Sequence, residues 1–431
     1  MSEIRPNQLR QVIFASFIGT TIEWYDFFIY GTAAALVFNR LFFPTLSPLA
    51  GTLHSYGTFA FGFVSRPIGG IVFGHFGDRI GRKTVLVWSL LLMGVATAMI
   101  GLIPSYDRIG AWAPTLLVVL RFVQGLGVGG EWGGAVLLAV EHSGGERRGF
   151  HGAWPQMGVP AGLLLATGVF ALVSARLSPG AFLEWGWRVP FLLSTVLIGI
   201  GLFVRLRVLE SPVFAELKES SGASRVPLLD VFREHPRELL IGAGMRFAQN
   251  MLFYLYTVFV PGYGEKSLGY HRSVMLGGVV LSALVGLVAV PFWSHVSDRV
   301  GRRPVYLAGA AAALLAVYPF FWLVARGPGY VGLAIVLAMV GHDMMYGPMA
   351  AYLSELFGTH VRYSGASLVY QLTSMFSGGL APIIATLLMA RSGTSAVAGY
   401  VVACCALTLV ATWFAPETHR VRLDAASHAH G

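Results

Sequence analysis

Charge is scarce in this chain. Only 12% of its 431 residues are Asp, Glu, Lys or Arg, against 55% hydrophobic, and so little polar surface cannot keep a chain of this length in water. An ordinary soluble domain is excluded, and the chain belongs in a bilayer. Cysteine is scarcer still. Cys404 and Cys405 are the only two, adjacent in one apolar run, where geometry disfavours a bridge between them and no ligand spacing is present. Neither a disulfide framework nor a metal site is expected, and no cofactor. No small-residue cleavage site follows a short apolar core near the start, so no removable signal peptide is read. No nucleophile, base and orienting group occur together, which argues against a membrane enzyme.

Long apolar runs are abundant. A spanning helix needs about 20 apolar residues, and about twelve such runs can be laid down. They lie near 13–38, 50–74, 84–104, 113–139, 150–174, 188–207, 237–263, 273–296, 304–324, 330–353, 362–389 and 395–415. The formal charge of +9 could suggest a nucleic-acid partner, but the basic residues sit in short segments between the runs rather than on one folded face. With both termini cytoplasmic, 19 Lys and Arg fall in the termini and even-numbered loops and 8 in the opposite loops, while Arg66, Arg121 and Arg246 lie inside runs. That is the positive-inside bias. The expectation is a multi-pass protein of the cytoplasmic (inner) membrane, all-α, with lipid and no nucleic acid around it.

One decapeptide occurs twice in diverged form: Gly74-His75-Phe76-Gly77-Asp78-Arg79-Ile80-Gly81-Arg82-Lys83 and Ser294-His295-Val296-Ser297-Asp298-Arg299-Val300-Gly301-Arg302-Arg303. Each copy is a charged knot between apolar runs, so each reads as a tight surface loop at the same point of two equivalent halves. The long polar stretch after the sixth run carries Glu210, Glu216, Lys218, Glu219 and Arg225. It divides the chain into an N-terminal six-helix half (1–208), a cytoplasmic linker (209–236) and a C-terminal six-helix half (237–431). Both halves end in related text, Leu209-Glu210-Ser211-Pro212 and Ala415-Pro416-Glu417-Thr418-His419-Arg420, where Pro stops the helix.

The doubled loop resembles the motif between helices two and three of the major facilitator superfamily, and Arg121-Phe122-Val123-Gln124-Gly125 resembles its motif for proton-coupled members. Narrower text resembles the metabolite:proton symporter family, which includes carriers of shikimate, 2-oxoglutarate, citrate, and proline with betaine. It comprises Glu23-Trp24-Tyr25-Asp26-Phe27-Phe28-Ile29-Tyr30-Gly31, Arg66-Pro67-Ile68-Gly69-Gly70, Gly129-Gly130-Glu131-Trp132-Gly133-Gly134, Ser354-Glu355-Leu356-Phe357 and Val361-Arg362-Tyr363-Ser364-Gly365. Within that family the text is most similar to shikimate-type carriers. The resemblance implies two pseudo-symmetric six-helix halves with a midplane site between them. One departure is that Gln249 precedes Asn250, where many members carry a carboxylate.

A charge at a helix centre costs roughly 2.5 to 3.5 kcal/mol, so those retained face a partner or a water-filled cavity. The resemblance implies a cavity lined chiefly by helices one, four, seven and ten. This chain puts Glu23 and Asp26 in one, Arg121 and Glu131 in four, Arg246 in seven, and His342 with Asp343 in ten; Arg66 lies in two. Glu23 and Asp26 share a face that Tyr30 continues. Two acids so close cannot both ionise in a dry cavity, which makes one a proton acceptor. Arg121 and Glu131 are about 15 Å apart along their helix, too far to pair directly. Arg121 could alternate between a helix-one carboxylate and an anionic substrate. The proton-coupling candidates are Glu23, Asp26, Arg121, Glu131 and Asp343. The substrate candidates are Tyr30, Arg66, Arg121, Arg246, Gln249, Asn250, Tyr254, His342 and Tyr346, for Arg offers a planar fork to a carboxylate and the others neutral hydrogen bonds.

The bland alternatives are static inter-helix charge pairs, packing tyrosines at Tyr254 and Tyr256, and a satisfied histidine at His342. For the doubled loop, Asp78, Arg79, Arg82, Asp298, Arg299 and Arg302 are gating candidates: Asp78 and Asp298 are expected near helix starts, accepting backbone donors and pairing with Arg of the same or opposite half to lock the cytoplasmic side. The alternative is topology alone. Gly125-Leu126-Gly127-Val128-Gly129-Gly130 has a dinucleotide-binding spacing but no strand before it. Gly125 with Gly129, and Gly130 with Gly134, instead allow close helix contact. Pro155 and Pro160 mark a kink. The expectation is a transporter, functional as a monomer, that moves a small organic acid with a proton by alternating access. The alternatives are a zwitterionic osmolyte such as betaine or proline, or a substrate sensor without flux.

Overall fold

The computed structural model describes residues 6–80, 82–129, 136, 140, 147–207, 231, 233–357 and 362–421. All regular structure among them is helical. The long helices in order are α1 (Pro6–Leu36), α2 (Pro48–Ile80), α3 (Arg82–Leu102), α4 (Trp112–Val128), α5 (Arg148–Arg176) and α6 (Arg188–Arg207). Then come α7 (Pro236–Tyr254, prolonged by a wide turn Leu255–Phe259 and by Val260–Ser267), α8 (Arg272–Val300), α9 (Arg302–Ala325) and α10 (Val331–Leu356). α11 starts as Arg362–Thr373, widens through Ser374–Gly379 and continues to Gly393, whose φ of 70° breaks the last helical run; α12 follows to Phe414. Among the described residues five helices are long and apolar enough to cross a membrane, and a sixth if the bent pair Pro179–Gly186 and Arg188–Phe203 is one span. Those outside this set include α1, with Glu23 and Asp26, and α7, with Arg246, Gln249 and Asn250.

The doubling read from the loops reappears in the packing. Within the first half α1 lies on α5, α2 on α4, and α3 on α4 and α6; within the second, α7 lies on α11, α8 on α10, and α9 on α10 and α12. Each contact is its counterpart with six added to both numbers. Across the halves α5 packs on α8 and α2 on α11, pairs that interchange when the halves are exchanged. The two halves are therefore pseudo-symmetric.

Burial is inverted relative to a soluble protein. Leu315 on α9 is 75% exposed and Val288 on α8 70%, whereas Arg121 is fully buried. Exposed Trp112, Trp322 and Trp413 stand near helix ends, where amphipathic rings suit a bilayer interface. One end of the bundle, called here the loop end, carries the doubled motif; the other is the far end.

Candidate functional site

At the middle of the bundle Phe27 of α1 stands between two guanidinium groups. Cζ of Arg66 (α2) is 4.2 Å and Cζ of Arg121 (α4) 4.3 Å from its ring centre. Arg66 also lies over Phe63, at 4.7 Å, and Arg121 over Tyr30, at 4.2 Å, and Phe59, at 4.9 Å. Tyr254 of α7 completes the belt from the opposite half, 6.0 Å from Phe27 and 5.2 Å from Phe63 between ring centres. Desolvated cation–π contacts are each worth about 2 kcal/mol, which offsets part of the cost of burying two cations.

Hydrogen bonding offsets only part of the rest. Arg121 gives one N–H to Oε1 of Gln124, three residues along, whose own amide is spent on the backbone oxygen of Asp26 at 3.0 Å and on Thr97 at 2.8 Å. Nε and Nη2 of both Arg66 and Arg121 are buried without a hydrogen-bond partner. Glycine makes this close approach possible: a Cβ at Gly62 would collide with Nε of Arg121, one at Gly125 with the carbonyl of Gly62, and one at Gly129 with the carbonyl of Arg66. The small-residue spacing of Gly125 and Gly129 is thus a seam against α2.

The second half holds its own cluster. Nη2 of Arg246 donates to Ser374 Oγ at 2.8 Å and to Asn250 Oδ1 at 3.3 Å, Nη1 donates to Gln249 Oε1 at 3.3 Å, and Cζ sits 3.4 Å from the Tyr370 ring centre. Nε has no partner. Asn250 reaches Ser377 at 2.9 Å. Gln249 meets His342 at 2.8 Å, His342 meets Asp343 at 2.9 Å, and Tyr346 donates to Gln156 of α5 at 3.2 Å.

The structure thus gathers Tyr30, Arg66, Arg121 and Tyr254 around Phe27, and links Arg246, Gln249, Asn250, His342 and Asp343, with Tyr346 stacked on His342. Arg66, on helix two, joins the centre. Asp26 does not join the arginines: its Oδ1 accepts from Ser194 of α6 and its Oδ2 is buried without a hydrogen bond. Successive helical positions diverge by about 100°, so Phe27 carries the arginines while Asp26 faces α6. Arg121 lies over the helix-one rings of Phe27 and Tyr30, and its hydrogen-bond route to that helix runs through Gln124 to the Asp26 carbonyl, not to a carboxylate. Glu23 is buried. Glu131 lies outside the described residues, as do the side chains of Asp78, Arg79 and Arg82.

Both ends are bridged between halves. At the loop end Asp298 stands in the last turn of α8, not near a start of its own helix as expected; it accepts from the backbone N–H of Gly149 at 2.8 Å and of Phe150 at 2.9 Å, two orphan donors at the start of α5, and pairs with Arg302 at 2.8 Å. Arg302 also pairs with Glu355 of α10, which pairs with Arg148 of α5, both at 3.3 Å. Arg299 is exposed and outside this network. Gly301 turns the chain with φ of 115°, and Glu417 accepts from the N–H of Arg302 and Arg303. At the far end Lys266 reaches Thr52 at 2.9 Å, and Arg272 lies over Phe182 at 4.7 Å.

Sequence reasoning assigned no role to Phe27, Phe59, Phe63, Gln124, Ser194, Arg148 or Glu355. Gln124 was detectable as an acceptor three residues from Arg121; a phenylalanine in an apolar run carries no comparable signal.

The family model of the Major Facilitator Superfamily matches residues 17–382 and 291–429. The inner membrane metabolite transport protein YhjE of Escherichia coli is 43% identical over 97% of this chain and 96% of its own length. The shikimate transporter of Escherichia coli is 39% identical over 96% of each. The proline/betaine transporter of Escherichia coli is 34% identical over 90% of this chain and 79% of its own length. A partially occluded, inward-open structure of the xylose transporter XylE from E. coli superposes with a TM-score of 0.74 at 19% identity, covering 96% of this chain and 99% of that one. Pseudo-symmetric halves meeting around buried charges, together with whole-length relatives that carry metabolites, make this chain a membrane transporter of the Major Facilitator Superfamily.

Proposed function

We propose that the transporter carries a small organic acid together with a proton across the cytoplasmic membrane by alternating access, with each of the twelve helical segments crossing once, both termini and the doubled loops on the cytoplasmic side, and the monomer as the working unit. The observation that carries this reading is the set of unfilled guanidinium donors, Nε and Nη2 of Arg66 and Arg121 and Nε of Arg246. A buried cation with unmade hydrogen bonds is costly, and a carboxylate supplies both the charge and the in-plane acceptors. Likeness to the shikimate transporter along the whole chain supports the same class.

The zwitterionic alternative has support in the 34% identical proline/betaine transporter and in the aromatic belt. A quaternary ammonium needs open ring faces. Here Arg66 and Arg121 already lie over Phe27, Phe59, Phe63 and Tyr30, which favours the anion. Asp26, buried among α1 and α6 with no cation beside its carboxyl group, is the proton-carrier candidate in the first half.

Binding to the purified protein tests the ligand class. Shikimate should bind, glycine betaine should not, and Arg121→Lys or Arg246→Lys should weaken shikimate binding by about tenfold or more, because Lys keeps the charge but loses the fork. Wild-type affinity in both variants would remove the arginines from the site.

A further inference from the structure

One line of hydrogen bonds joins α7 to α10. Arg246 Nη1 donates to Gln249 Oε1 at 3.3 Å, Gln249 Nε2 meets His342 Nε2 at 2.8 Å, and His342 Nδ1 meets Asp343 Oδ1 at 2.9 Å. A guanidinium can only donate. It therefore turns the amide oxygen of Gln249 towards itself and the NH₂ towards His342. His342 Nε2 must then accept, so the single proton of the neutral ring is on Nδ1 and is given to Asp343.

We propose that Gln249 is a coupling switch: a proton taken up by His342 reverses the Gln249 amide and frees Arg246 for the substrate carboxylate. The proposal rests on the reading of proton-coupled organic-acid transport given above. When a proton from water binds His342 Nε2, that nitrogen becomes a donor and can no longer accept from the NH₂ group. Only Oε1 answers it, so the amide makes a half turn, presenting Oε1 to His342 and NH₂ to Arg246. Two donors then face each other. Arg246 Nη1 loses its amide acceptor, keeps only the sulfur of Met349 at 3.1 Å, and turns the freed N–H to an incoming carboxylate oxygen. The N–H bond formed at Nε2 replaces an O–H bond of hydronium, which leaves as neutral water, and the added charge is balanced by Asp343. By reciprocity a carboxylate held on Arg246 favours the reversed amide and hence the protonated ring.

The surroundings suit this step. The His342 ring lies between Phe253, at 5.2 Å, and Tyr346, at 5.3 Å. From α7 the charged group facing it is Arg246, by way of Gln249; from α11 Tyr370 lies on Arg246; from α5 comes the neutral Gln156, bonded to Tyr346; and from α8 come Ser282 and Gly286. A narrow, mostly apolar crevice between α5, α8 and α10 reaches His342 and Asp343, with room for no more than about one water to deliver the proton. A carboxylate at position 249 could not do the same work, since it has no donor to exchange for its acceptor.

The test uses the purified full chain with shikimate as the probe. Wild type should bind shikimate about tenfold tighter at about pH 6 than at about pH 8, the worth of one charge-assisted hydrogen bond. Gln249→Met, similar in length without polar ends, and His342→Gln should each show less than about a twofold difference over the same range. In ¹⁵N-histidine NMR, the resonances absent from His342→Gln should report the Nδ1–H tautomer in wild type at the higher pH and shift in Gln249→Met. Retention of the wild-type pH dependence in Gln249→Met, or an Nε2–H tautomer in wild type, would overturn the switch. If wild type binds no shikimate at either pH, the organic-acid reading falls, and the tautomer alone decides the relay: Nδ1–H supports it and Nε2–H rejects it.

Discussion

Replacing Asp298 by Asn should open the loop end. Asp298 accepts from both Gly149 N–H and Phe150 N–H and pairs with Arg302. Asn keeps one acceptor oxygen, so one bond at the start of α5 is lost together with the favourable charge at that helix terminus and the ion pair, while Arg302 retains Glu355. One charge-assisted hydrogen bond is worth about 1.5 to 3 kcal/mol, and about 2 kcal/mol shifts a two-state population roughly 30-fold. Two near-isosteric reporters read the shift once Cys404 and Cys405 are replaced by Ala. Ala350→Cys on α10 is buried against Gly152 of α5 at the loop end, and Ala35→Cys on α1 is buried against Gly262 of α7 at the far end. With Asp298→Asn, a membrane-permeant maleimide should label Ala350→Cys roughly 30-fold faster and Ala35→Cys more slowly, and substrate affinity should change little. Unaltered labelling at both positions with transport intact would refute the gate and leave the doubled motif as a topology signal.

Asp26→Asn should cut gradient-driven uptake far more than counterflow, because exchange need not release the proton; equal loss in both assays would make Asp26 structural. Gly62→Ala places a methyl group against Arg121 between fixed rings, and overpacking of this kind costs about 1 to 3 kcal/mol; substrate affinity and thermal stability should fall together, and an unchanged protein would contradict the packing described here. Glu417 is raised by partial burial but lowered further by the N–H groups of Arg302, His419 and Arg303, so its carboxyl is held below the ordinary range. A depressed acid stabilises the fold above its unfolded value and loses that contribution as pH falls through the folded value. The difference in melting temperature between wild type and Glu417→Gln should therefore be present at neutral pH and vanish in acid, with about 1 kcal/mol at stake, as for a helix cap; a difference independent of pH would exclude the carboxylate.

The doubling was legible because each motif copy packs strong signals, Asp, Gly and paired basic residues, into ten positions between apolar runs. Arg246 with Gln249 and Asn250 was legible too, since spacings of three and four mark one helix face. The aromatic belt was not: Phe27, Phe59 and Phe63 look like any lipid-facing or core phenylalanine until the arginines above them are placed. The spacing of Glu23 and Asp26 gave a shared face, but not that Asp26 turns to Ser194, 168 positions away. The loop-end network is equally non-local, with Arg148 and Glu355 separated by 207 positions. Helical periodicity orients a side chain about its own axis; only the assembled bundle says which helix it meets.

The most direct test is uptake of labelled shikimate into proteoliposomes containing the purified protein, with an imposed inward proton gradient and no sodium. The account predicts accumulation above equilibrium that a protonophore abolishes and that is lost in Arg121→Lys. Accumulation that requires sodium and survives the protonophore, or exclusion of shikimate alongside uptake of glycine betaine, would contradict it.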